Sequence, residues 1–138
     1  MLPVGALLRR ADTVEVIGAA LAAAGAGWGH RRVAWLVGRA ASTVRGWLRR
    51  FEARAGPLRE GFTAVAVALA PAPVMPEPTG SGVGDAVAAI LLAGREARSR
   101  WPELPLSVSA WQVAAAITSG RLLAPTLAME SINTSCLW

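Results

Sequence analysis

The chain has no lysine and no tyrosine, one histidine (His30), one cysteine (Cys136) and two phenylalanines. Each scarcity closes a class of chemistry. Without lysine there is no phosphate loop of the Walker type, whose lysine reaches the outer phosphates. A lone cysteine makes no internal disulfide, and one histidine with one cysteine falls short of the four ligands of a structural zinc site. A Ser–His–Asp arrangement would have to use His30, which lies among arginines and reads as a helix-start residue rather than a catalyst. The nine acidic residues are scattered singly, so no carboxylate cluster offers a metal or general-acid site. Gly80-Ser81-Gly82-Val83-Gly84 precedes a helix but follows a proline-rich stretch instead of a strand, which makes it a poor phosphate cradle. No enzyme activity, cofactor or metal is expected. Long apolar runs are missing too. The uncharged stretches Val16–Gly29, Gly61–Pro76 and Leu104–Gly120 are too short, or too broken by Gly, Pro, Ser and Gln, for a bilayer span of about 20 apolar residues. No membrane partner is expected. With no leader pattern in the opening residues and no disulfide framework, a cytoplasmic setting is expected.

What is present is alanine-rich and basic. Hydrophobic residues make up 54% of the 138 positions; alanine favours helix while burying little area per residue. Strand-forming content is low, so an all-α fold is expected. The net charge is +5, and all fourteen basic residues are arginine. Together with abundant Ala, Gly and Pro, this fits a GC-rich coding bias, which supplies some arginines without a special task. Their distribution is more informative than their number. Residues 1–60 hold ten arginines against four acids (+6), and residues 61–138 hold four against five (−1). All the excess positive charge falls on one half, which points to a polyanionic partner for that half.

The most patterned stretch of that half is His30 to Phe51. Val33, Ala34 and Val37 form one apolar face, Gly38 breaks the helix, and Val44, Trp47, Leu48 and Phe51 form the matching face of a second helix. Ala34 is small enough for the second helix to cross closely, and Gly38 can take the positive φ a tight turn requires. Ser42 or Thr43 can accept a bond from the free amides opening the second helix. Its outer face is left with Ser42, Arg45, Gly46, Arg49 and Arg50, a polar, arginine-bearing ridge of the kind a DNA major groove accepts. Trp47 belongs to the buried face, since duplex DNA exposes no base faces to stack on.

Ala34, Gly38, Val44 and Trp47, with the run Ser42-Thr43-Val44-Arg45-Gly46-Trp47-Leu48, resemble the helix-turn-helix of homeodomain-like, transposase-type DNA-binding proteins. The wider chain looks like a group of small helix-turn-helix proteins of high-GC bacteria, in which a stretch like Arg9-Arg10-Ala11-Asp12-Thr13 precedes the motif and one like Gly120-Arg121-Leu122-Leu123-Ala124-Pro125 closes it. Arg39 departs from the pattern, which usually has an apolar residue after the glycine. The resemblance implies a duplex-DNA reader. The acidic catalytic domain of a transposase has no counterpart, since the residues after the motif are helical and broken by proline rather than alternating strand and helix.

Around the motif, Asp12 or Thr13 is placed to cap a first helix running to about Ala24, with Val14, Ile17 and Leu21 as its buried stripe. Arg9-Arg10 ahead of it reads as a solvated start in preference to the alternative, a phosphate-contacting arm that enters the adjacent minor groove. Trp28, in the glycine-rich connection, is expected to fold over the core. Gly56-Pro57 marks the next boundary, followed by a helix over 58–70 with Leu58, Phe62, Val65 and Leu69 at steps of four, three and four. Pro71 to Gly82 reads as an extended linker with a glycine hinge. Val83 to Arg100 is helical, with Val87, Ile90, Leu91 and Leu92 central, Asp85 in its first turn and Arg95, Arg98 and Arg100 near its end, an order that suits the helix dipole. Ser109 with Gln112 forms a capping box for a last helix to Ser119.

The expected organisation is an N-terminal three-helix, homeodomain-like helix-turn-helix bundle at 11–56, a connecting helix at 57–70, a Pro/Gly-rich linker at 71–82, a helical appendage at 83–120 and a flexible tail at 121–138. The expected function is double-stranded DNA binding at the nucleoid, as a transcriptional regulator or a transposase-like end reader without a catalytic domain. Ser42, Arg45, Gly46 and Arg49 would meet base edges, and Arg31, Arg32, Thr43, Arg50 and Arg54 would meet phosphates. A homodimer on paired half-sites is expected. The rival readings are a helical protein–protein interaction module and a truncated transposase remnant with no stable role.

Overall fold

The computed structural model describes residues 4–118, with side chains from residue 14 onward. It contains six helices: α1 (Val4–Gly25), α2 (His30–Val37), α3 (Ala41–Glu52), α4 (Ala55–Leu69), α5 (Gly82–Arg100) and α6 (Ala110–Ile117). Among the described residues there is no strand, as the alanine-rich, strand-poor composition led one to expect.

Helix α1 starts at Val4 instead of at Asp12 or Thr13. The intervening Ala, Leu and Arg residues are good helix formers, so nothing stops the helix, and Asp12 and Thr13 are interior positions rather than caps. At its other end the chain turns on Gly27 (φ 101°). Trp28 N–H donates to Ala23 O (3.1 Å) and Gly27 N–H to Ala24 O (3.0 Å), the paired bonds that close a helix through a left-handed residue. That turn lays Trp28 against the core, half-buried, as expected.

Helix α4 begins inside the expected boundary. Ala55, Gly56 and Pro57 form its first turn, where a proline's missing N–H would have had no helical partner anyway. Its stripe of Leu58, Phe62, Val65 and Leu69 is buried as the spacing required. The partner is α5, and this pair is the most extensive helix interface among the described residues. The two helices run parallel. A Cβ on Gly82 would lie 3.7 Å from that of Ala55, and Arg59 pairs with Asp85 at 3.9 Å, so both helices begin at the same end.

Residues 70–81 must therefore travel back along the length of α4, about 22 Å for fifteen residues. Twelve extended residues reach about 40 Å, and four prolines hold them extended. The segment expected to be a free linker is a strap tied to α5 at two points. Arg95 Nη2 donates to Val74 O (3.2 Å). Asp85 Oδ1 accepts from Thr79 N–H (2.7 Å) and Oγ1 (2.9 Å).

Helix α5 buries Ala86, Val87, Ala89, Ile90, Leu92, Ala93 and Ala97, but Leu91, expected at the centre, is 46% exposed. Asp85 occupies its first turn, and Arg98 and Arg100 its last. Arg98 reaches forward to the carbonyls of Leu104, Pro105 and Val108 and so holds the loop to α6. The Ser109–Gln112 capping box is formed, and the Ser109 hydroxyl also bonds Glu15 of α1. Trp111 lies flat over Gly18 of α1, where an added Cβ would come within 2.4 Å of the indole; the glycine is what lets α6 approach. The helix ends at Ile117, with buried Thr118 capping it. The expectations for 119–138 fall outside the described residues.

Two clusters make the core. The larger joins Leu21 of α1 and Phe51 of α3 to the buried faces of α4, α5 and α6. The smaller joins Ala20 of α1 to Val33 and Ala34 of α2 and Val44 of α3, with Trp28, Val37 and Trp47 packed against it. Leu48 touches both. The expected connecting helix and appendage together thus hold the greater part of the core.

Candidate nucleic-acid interface

The candidate surface is built by α2, the turn after it and α3. Val33 and Ala34 face inward from α2, and Val44 and Phe51 from α3. At 5% exposure, Ala34 leaves the room for a close crossing. Gly38 sits in the left-handed region (φ 67°, ψ 36°), and Arg39 N–H returns to Ala34 O at 3.1 Å. The chain is helical again by Ala41. Because the turn closes in three residues, the capping position falls on Ala40, which has no side-chain acceptor. Ser42 and Thr43, expected as caps, instead lie exposed in the first turn of α3.

That shift has an electrostatic consequence. Neither α2 nor α3 has a capping side chain or an acid in its first turn, whereas α5 and α6 open on Ser81 and Ser109, which each accept a backbone amide. Free amides at a helix start carry the positive end of the helix dipole and favour anions.

The outer faces add formal charge. Arg31, Arg32, Arg39, Arg45, Arg49 and Arg50 are all exposed, and no acidic residue occurs between Glu15 and Glu52. Among the described residues the ion pairs are Arg59–Asp85 and Arg95–Glu96, so none of the six has an acidic partner. Arg32 is oriented by Trp28, its guanidinium carbon 3.8 Å from the ring centroid, a stacking that fixes a cation without neutralising it. Gly46 is half-buried, yet a Cβ there would meet nothing nearer than Arg50 Nη2 at 3.9 Å.

Arg54 does not belong to this surface. It is 5% exposed, its Nη1 donates to Arg50 O, and its Nε is buried without a partner. Burial, and then the charge of Arg50, lower its pKa. The helical spacing that placed it among phosphate contacts fails because α3 has already ended; Ala53 and Arg54 turn the chain into α4, which draws the side chain inward.

Trp35, to which the motif pattern assigns no role, is 82% exposed, with Leu36 beside it at 48%. The signal was present: Trp35 lies off the 33/34/37 stripe, on the opposite side of α2. Elsewhere, a cleft of about 760 Å³ opens between α4, the strap and α5, lined by Val67, Met75, Thr63 and Ala88 among others. Among the described residues no group of His, Cys, Asp or Glu could hold a metal ion, and no helix is long and apolar enough to cross a membrane. No family model matches the chain, and neither a curated protein nor a solved structure does.

Proposed function

We propose that the chain binds double-stranded DNA through α2, the turn and α3, acting at the nucleoid as a transcriptional regulator or a transposase-type end reader that lacks a catalytic domain. The observation that carries this reading is the set of six exposed arginines with no acidic partner among the described residues, on two helices and the turn between them, the amino ends of both helices being open to anions as well. Helix α3 enters the major groove, with Arg45, Arg49 and Ser42 toward base edges and Gly46 allowing the backbone close approach. Arg31, Arg32, Thr43 and Arg50 meet phosphates, which position the helix without reading sequence. A homodimer on paired half-sites supplies the affinity that one small unit lacks.

Selection of bound duplexes from random DNA, followed by titration at several salt concentrations, tests this. Log affinity should fall linearly with log salt, by about 0.9 per phosphate neutralised. Arg45→Ala and Arg49→Ala should each cost about 1–3 kcal/mol on the selected site, while Arg50→Ala should weaken all duplexes alike. Affinity indifferent to salt and to both base-facing substitutions sinks the proposal in favour of a protein-contact role.

A further inference from the structure

An indole is seldom left in water, yet Trp35 stands on the outer face of the last turn of α2 and is 82% exposed. Its surroundings are cationic. Arg31 lies one turn before it on the same helix face, and Arg39 follows the left-handed Gly38 that ends α2; both are exposed. Arg32 is held over Trp28 and Arg39 Nη1 donates to Gly38 O (3.3 Å), which leaves Arg31 and Arg39 as exposed charges at the two ends of the helix that carries the indole. A protein surface covering this end of α2 would have to offer an apolar group between acidic ones. A nucleic-acid strand with unstacked bases has that alternation built in: a flat π face between two phosphates. Intact duplex does not, because its base faces are turned against one another.

Resting on the DNA-binding reading above, we propose that the preferred DNA carries unpaired bases beside its duplex. Trp35 stacks on one of those bases, and Arg31 and Arg39 hold the phosphates on either side. The chemistry recognised is a short single-stranded extension continuous with the duplex that α3 reads.

Three DNAs with a common duplex, one blunt, one with a three-nucleotide overhang and one with the same overhang made abasic, separate stacking from charge. The abasic overhang keeps the phosphates and lacks only the π faces. The full chain should bind the overhang about tenfold more tightly than its abasic counterpart. Trp35→Ala should bind both alike and keep the native affinity for blunt duplex, and Trp35→Phe should retain most of the preference. Because the side chain is exposed, its removal leaves the core untouched. Equal binding of the two overhangs by the native chain, or a preference that survives in Trp35→Ala, overturns the inference. In that event salt-dependent binding of the blunt duplex leaves the duplex reading standing. Absence of binding to all three DNAs ends both.

Discussion

Arg49 and Arg54 are five positions apart and meet opposite surroundings. Arg49 is exposed and, among the described residues, without an acidic partner, while Arg54 is closed in at the α3–α4 joint with one guanidinium nitrogen unsatisfied. A buried cation with incomplete hydrogen bonding costs desolvation that its contacts repay poorly. Arg54→Met should therefore leave stability unchanged or raise it by up to about 2 kcal/mol, the relieved desolvation offsetting a charge-assisted bond to Arg50 O worth about 1.5–3 kcal/mol. Duplex affinity should not change. Arg49→Ala should do the converse, weakening binding at constant stability. Urea unfolding and duplex titration of both variants check this; an Arg54→Met protein that folds normally and binds more weakly would mean that the guanidinium leaves its site to reach DNA. Exposure of this kind was readable for Arg45 and Arg49, since the 44/47/48/51 stripe leaves them outside. It was not readable for Arg54, because helical phase has no meaning past the residue where the helix stops.

At the scale of elements, local signals were reliable where the chemistry is local. Gly38 takes its positive φ, Ser109 and Gln112 cap each other, and Leu58, Phe62, Val65 and Leu69 face one way because all depend on residues within a turn or two. The caps assigned to Asp12, Thr13, Ser42 and Thr43 failed because each could also lie inside a helix, and only the neighbouring turn decides. The return of the 70–81 strap was invisible for a different reason. Its direction depends on where Asp85 meets Arg59 and where Gly82 meets Ala55, contacts fixed by the packing of α4 on α5.

The strap also makes a pH prediction. Its carboxyl end is hooked by Asp85, whose pKa is lowered first by the Thr79 amide, then by the Thr79 hydroxyl, with a smaller pull from Arg59 against the opposing effect of burial. A carboxylate depressed on folding stabilises above its unfolded pKa and loses that contribution as pH falls through the lower, folded value. The hook should hold at neutral pH and release in acid, below the ordinary carboxylate range. Hydrogen exchange at the Thr79 amide should show protection that declines through this window, and Asp85→Asn should weaken that protection at neutral pH and remove its acid dependence. A Thr79 amide equally protected in both proteins at every pH would contradict this account.

Taken whole, the molecule does not keep its folding energy where its positive charge lies. Leu21 and Phe51 are buried by α4, α5 and α6, and Leu48 ties that cluster to the smaller one under α2 and α3. A fragment ending at residue 56 would turn Phe51 and Leu21 toward water, a loss of about 2 kcal/mol or more for each large side chain. Such a fragment should show weak helicity and no cooperative thermal transition by circular dichroism, whereas the full chain should unfold in one step. A fragment that melts sharply near the Tm of the full protein would show that the first three helices stand alone.

The outer faces of α2 and α3 are separate from both clusters, and a side chain grown on Gly46 would project into open space while strengthening its helix by about 1 kcal/mol. Change is therefore cheap there. A lineage carrying this protein could swap one surface residue after another on those faces and revise what they recognise, while the interior remained an unaltered chassis.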